Sequence, residues 1–198
     1  MLLNISIVII AYLSGSISSA VIVCKIMRLD DPRHHGSNNP GATNVLRLHG
    51  KAPAIFTLAG DVLKGIIPVL LAHALTGSDL IIALSSLAAF TGHIFPVFFG
   101  FRGGKGVATL IGVLFGIYWL LGLAFIVTWL IIALLFRYSS LAALTAAALS
   151  PVYAFILLPS VEFILCISIM VIILFWRHRT NIKNLIAGKE NKIVFRKI

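Results

Sequence analysis

The sequence predicts an all-α integral membrane protein of seven transmembrane helices, on three observations. Hydrophobic residues fill 60% of its 198 positions and charged residues 11%, with a mean hydropathy of +1.06. One soluble core cannot hide that much apolar surface. The apolar residues gather into runs at 2–23, 53–75, 80–99, 107–136, 141–158 and 163–176. Most of these are near the roughly 20 residues that span hydrocarbon as a helix. The cations, finally, are concentrated in some of the gaps between the runs and after the last run, and are missing from gaps 76–79 and 159–162.

Taken in order, run 2–23 lacks a positive leading segment, and its first cations, Lys25 and Arg28, come after it. A secretory signal has the reverse order, so this run stays as a helix with the N-terminus outside. Arg33, Arg47 and Lys51 share the gap that follows it, Arg102 and Lys105 follow the third run, and Arg137 follows the fourth. Arg177, Arg179, Lys183, Lys189, Lys192, Arg196 and Lys197 follow the last. Gaps 76–79 and 159–162 hold no Lys or Arg and contain two of the six acids. This positive-inside pattern puts the basic gaps and the C-terminus in the cytoplasm. It also accounts for the net charge of +10 without a nucleic-acid partner.

Run 107–136 is uncharged for 30 residues and has cations at both ends. A single helix of that length, at about 1.5 Å per residue, would place those ends on opposite sides. Two short legs turning near 118–122 keep both ends cytoplasmic and bring the helix count to seven. No repeat, low-complexity tract or linker interrupts the pattern, so residues 1–198 read as a single domain. Cys24 adjoins the first apolar run and Cys166 falls within the last, where inert buried thiols are expected. Gly112, Gly116, Ala142, Ala143, Ala146 and Ala147 are expected to let helices pack closely.

Three polar segments carry the chemistry. Segment 36–47, Gly-Ser-Asn-Asn-Pro-Gly-Ala-Thr-Asn-Val-Leu-Arg, has turn residues and the hydroxyls of Ser37 and Thr43. A short helix after Gly41 would put Asn44 and Arg47 three apart on one face, with Arg47 able to clamp a phosphate bidentately. A loop held by its own side-chain to backbone hydrogen bonds is the plainer reading.

The second segment runs from Gly92 to Thr109 and contains Arg102, Gly103, Gly104, Lys105 and Gly106 in front of an apolar run. Glycines let backbone N–H groups approach an anion, and a helix start adds its positive dipole end. It is not a nucleotide-binding Walker A loop, because Phe99 and Gly106 stand where that motif needs Gly and Ser or Thr. His93 is read as a hydrogen-bonded helix residue.

The third segment, 177–190, holds His178 and Asn181 three apart, on one face of a helix continuing out of the membrane. Lys192, Arg196 and Lys197 beyond it are expected on anionic lipid.

Within the second run, Asp61 and Lys64 lie one turn apart near the bilayer midplane. A lone charge there costs at least about 2.5–3.5 kcal/mol, so they form either a structural ion pair or part of a transport path. Ser139 and Ser140, beside Arg137 at the cytoplasmic edge, are within reach of a ligand there, but read first as helix-capping residues. Six acids without ligand spacing give no metal site, and no residue pattern calls for a cofactor. No His is followed five residues later by Asp, and no Gly-x-Ser-x-Gly elbow occurs, so conventional general-base machinery is absent.

These segments resemble, in order and spacing, the three cytoplasmic motifs of the bacterial membrane acyltransferases that move a fatty acyl group from acyl phosphate to glycerol 3-phosphate. The stretch from Gly60-Asp61 to Lys64-Gly65 is similar to that family's second helix. The resemblance implies seven helices in the bacterial inner membrane, an external N-terminus and an active site facing the cytoplasm. The product it implies is 1-acyl-glycerol 3-phosphate, with inorganic phosphate released. Membrane lipid is the implied surrounding, with no obligate protein partner. By the same resemblance Ser37, Thr43 and the 103–106 loop hold the acyl-phosphate head, and Gly41 and Asn44 also line the substrate-binding segment. Arg47, Lys105, His178 and Asn181 hold glycerol 3-phosphate, with Lys105, His178 and Asn181 nearest the chemistry. Asn38 replaces the family's usual Gly and is the next best residue for a positive φ. The competing reading is a transporter of phosphate or a small organic anion. It is motivated by Asp61 and Lys64, but it lacks an inverted repeat and a motif on the opposite side.

Overall fold

The computed structural model describes residues 1–193, and Arg196 and Lys197, expected on lipid, lie outside the described residues. The described chain is all helical and forms two compact units.

The first unit, Met1–Ile117, contains α1 (Leu2–Gly15), α2 (Ser19–Ile26), α3 (Ala42–His49), α4 (Lys51–Leu75), α5 (Asp79–Ile94) and α6 (Val107–Ile117). The second unit begins at Tyr118 and contains α7 (Trp119–Phe136), α8 (Ser139–Leu157), α9 (Val161–Arg177) and α10 (Arg179–Ile186).

By length and hydropathy α4, α5 with its following turn, α7 and α8 are candidate membrane spans. The pairs α1/α2 and α9/α10, bent by 47° and 61°, pass the same test when each is taken as one span. That gives four to six spans, against the seven expected. The difference is α6, whose 11 residues are apolar but extend only about 17 Å at 1.5 Å per residue.

The expected single helix over 2–23 is broken at Ser16, Ile17 and Ser18. Ser16 Oγ donates to Tyr12 O at 2.9 Å, the back-bonding that bends helices, and Ser18 is extended at φ −85° and ψ 95°. Run 80–99 stops being α-helical at Ile94. Pro96 disfavours helical geometry in the residue before it, and Phe95 sits at φ −127° and ψ 69°. Tyr12 Oη then donates to Phe95 O at 2.8 Å and pins that end. Run 107–136 breaks, as expected, into two legs. The break is a single extended residue, Tyr118, and Gly122 is buried inside α7 rather than forming a turn.

Small residues set the closest approaches in each unit. A Cβ at Gly112 of α6 would strike the Val62 carbonyl and come within 3.1 Å of Ile66 N on α4. Only glycine permits that crossing. In the second unit Ala142, Ala143, Ala146 and Ala147 of α8 are all buried, as their size suggested.

Candidate active site

The turn preceding α3 takes its shape from two left-handed residues, Gly36 at φ 64° and Asn38 at φ 55°. Asn38 therefore keeps the backbone that glycine would supply. Ser37 lies between them, and its N–H donates to Asn44 Oδ1 at 3.0 Å. Asn44 Nδ2 donates to Pro32 O at 3.0 Å and to His35 O at 3.1 Å. Asn44 is thus buried beneath the loop with its amide spent on backbone, while Arg47, one turn on, is exposed. Gly41 caps α3, and Ser37 and Thr43 are exposed.

Arg33 ties this loop to the approach of the glycine segment. Its guanidinium grips the Asp31 carboxylate through Nη2 at 2.6 Å and Nε at 3.0 and 3.1 Å. It also donates to Phe99 O at 3.4 Å and lies 5.9 Å from the Phe99 ring centroid. The Arg33 hydrogen bonds hold the Asp31 carboxyl below the usual carboxylate range.

The glycine loop rests on the end of α5. Gly104 N–H donates to His93 O at 3.3 Å. Side chains on Gly103 or Gly104 would overlap the His93 carbonyl or the His93 Nε2 atom respectively. Gly103, Gly104 and Gly106 are buried and Lys105 is half-buried. Gly106, at φ 89°, accepts the first α6 hydrogen bond, from Leu110 N at 2.8 Å. The loop therefore delivers Lys105 beside the N-terminus of α6, where N–H groups lack helix partners and the dipole favours an anion.

Asp61 and Lys64 form a buried ion pair at 2.8 Å. Asp61 is 2% and Lys64 6% exposed, so the two charges are paired inside the protein.

In the second unit α9 does not continue straight outward, as the sequence suggested. It ends at Arg177, and His178 occupies the 61° bend before α10. His178 is 3% exposed, with Nδ1 2.8 Å from Leu174 O. A carbonyl only accepts, so Nδ1 carries the hydrogen in this contact. Asn181 Nδ2 donates to Glu190 Oε1 at 2.8 Å, and Ser140 Oγ donates to the same oxygen at 2.7 Å. Sequence reasoning missed this use of Glu190. The available signal was its position as the single acid in the basic C-terminal segment. It also expected Ser139 and Ser140 as caps, whereas Tyr138 precedes α8 without a side-chain cap and Ser140 turns to Glu190.

Residues 5–188 match the family model described as glycerol-3-phosphate acyltransferase. The chain belongs to the glycerol-3-phosphate acyltransferase family.

Glycerol-3-phosphate acyltransferases of Francisella tularensis subsp. holarctica (strain FTNF002-00 / FTA) and Francisella philomiragia subsp. philomiragia are each 54% identical to it over 191 residues. Each alignment covers 96% of this chain and 93% of the relative. The crystal structure of PlsY (YgiH), an integral membrane glycerol 3-phosphate acyltransferase, matches in its glycerol 3-phosphate form with TM-score 0.92 and 38% identity over 96% of both chains. The lysophosphatidic acid form matches with TM-score 0.90 and 38% identity, over 96% of this chain and 94% of that one. The present acyltransferase is accordingly an integral membrane enzyme of phospholipid synthesis, and the transporter reading falls.

Proposed function

We propose that this acyltransferase moves a fatty acyl group from acyl phosphate to the 1-hydroxyl of glycerol 3-phosphate, giving 1-acyl-glycerol 3-phosphate and inorganic phosphate. The observation that carries the reading is the glycine loop with its lysine, set on buried backbone at a helix start. That arrangement suits an anionic head group. The likeness to relatives solved with glycerol 3-phosphate and with lysophosphatidic acid supports the same acceptor and product here.

In the proposed reaction the acceptor hydroxyl oxygen bonds to the acyl carbon, the carbon–oxygen bond of the anhydride breaks, and phosphate leaves with the electron pair. The hydroxyl proton passes to a phosphate oxygen of the substrate. The mixed anhydride is already activated, so orientation and charge neutralisation are what the protein must supply. Lys105 and the amides of 103–106, with Ser37 and Thr43, are assigned to the donor phosphate. Arg47, His178 and Asn181 are assigned to the acceptor, and Lys105 also faces the developing charge. Gly41 and Asn44 shape the first loop rather than touch substrate.

We further assign the chain seven membrane helices with the N-terminus outside. The active site then faces the cytoplasm of the bacterial inner membrane, and 1–198 acts as one domain. The basic gaps on one side support this orientation.

Purified protein supplied with labelled glycerol 3-phosphate and a long-chain acyl phosphate tests the donor. Monoacylated product with equimolar inorganic phosphate is expected, and none with acyl-CoA. Product from acyl-CoA at equal rate, or no product from folded protein, overturns the proposal.

A further inference from the structure

Four charged or polar contacts run from the break between α1 and α2 to the glycine loop. Lys64 Nζ donates to Ile17 O at 2.7 Å, a carbonyl in the α1/α2 break. The same ammonium pairs with Asp61 Oδ1 at 2.8 Å, and that oxygen lies 3.7 Å from His93 Nδ1. On its other side the His93 ring places Nε2 where a Gly104 side chain would go, while the His93 carbonyl receives the Gly104 N–H. Asp61, Lys64 and His93 are 2%, 6% and 6% exposed.

Burying a charge pair is a poor way to gain stability, because desolvation cancels most of the attraction and apolar residues of the same volume serve as well. Positional definition is what such a pair supplies in its place. An ion pair specifies where its members sit far more narrowly than a leucine contact does. Here the definition passes along the line of contacts. Lys64 is held by a fixed carbonyl, Asp61 is held by Lys64, and the His93 ring packs edge-on beside the Asp61 carboxylate, at 3.7 Å, outside hydrogen-bond distance. Gly103 and Gly104 fit against His93 with no side chain to spare. The segment resting on the end of this line carries Lys105.

We propose that Asp61 and His93 are positioning residues for acyl transfer. Asp61, neutralised and anchored by Lys64, orients the His93 ring, and the ring and its carbonyl set the height and register of loop 103–106. This rests on the reading that the loop holds a phosphate, and it adds to it the buried device that keeps the loop in place.

The test compares Asp61→Asn, His93→Ala and His93→Gln with wild type, as full-length purified enzyme in detergent. Amide hydrogen exchange is followed in peptides over 103–107 and over α7 and α8, together with KM and kcat for the acyl-phosphate donor. Faster exchange at 103–107 is expected in Asp61→Asn and His93→Ala, with α7 and α8 unchanged. The donor KM should rise at least tenfold, with a smaller change in kcat. His93→Gln keeps a polar nitrogen or oxygen at similar reach and should recover most of both effects. Wild-type exchange at 103–107 in both Asp61→Asn and His93→Ala overturns the proposal, as does His93→Gln behaving like His93→Ala. If Asp61→Asn does not fold, the two His93 variants decide alone, since they leave the Asp61–Lys64 pair intact. Loop exchange that rises as expected in protein whose wild type transfers no acyl group supports the positioning role and counts against the acyl-transfer reading alone.

Discussion

Asn44 makes three hydrogen bonds, all to backbone of the loop that carries Ser37. It serves as acceptor to one N–H and donor to two carbonyls, and an amide is the one uncharged side chain able to do both at that reach. Asn44→Ala leaves three backbone groups without that partner, each costing about 1–3 kcal/mol where it is kept from water. The expected result is a lower unfolding temperature, with the acceptor KM raised about tenfold and kcat changed less. Asn44→Asp fares no better, since a carboxylate faces the carbonyls of Pro32 and His35 with nothing to donate. Full kcat/KM in either variant contradicts this. The residue types of the first loop were legible in the sequence, including the positive φ of Asn38. The direction Asn44 faces was not, because a spacing of three says that Asn44 and Arg47 are neighbours and does not say which of them turns inward.

At the scale of elements, the crossing of α4 and α6 depends on the absence of a side chain at Gly112. Gly112→Val places carbons where the Val62 carbonyl already stands, and overpacking of this kind typically costs about 1–3 kcal/mol. Gly77→Ala is the matched control, since its added carbon meets nothing within 4 Å and its φ is not positive. Thermal unfolding in detergent is expected to separate the two, with Gly112→Val melting several degrees below wild type and Gly77→Ala unchanged. Equal melting temperatures contradict the close-approach account. Apolar run length located the helices well, because hydrocarbon thickness imposes it. Breaks were less legible. Pro96 announces the end of α5, whereas the break at Ser16 to Ser18 is marked only by Gly15 and its flanking serines inside an apolar run, and the Ile17 carbonyl released there is taken up by Lys64, 47 residues away. His178 at the 61° bend is a similar case, where the turn lies inside what reads as one continuous helix.

For the whole molecule, the distribution of cations carries more information than their number. Sixteen Lys and Arg residues against six acids would suit a nucleic-acid binder if they were spread over one surface. Concentrated in particular gaps between apolar runs, they support the orientation proposed above, with Arg47 and Lys105 in basic gaps. On the proposed orientation both proposed substrates arrive from the cytoplasm and the acylated product leaves into the inner leaflet. Sealed vesicles test this account most directly. Inside-out membranes bearing the protein, given external glycerol 3-phosphate and acyl phosphate, are predicted to form 1-acyl-glycerol 3-phosphate and inorganic phosphate in equal amounts at once. Right-side-out vesicles are predicted to stay silent until permeabilised. Equal rates from both sealed orientations, or no acylated product after permeabilisation of vesicles holding folded protein, would contradict it.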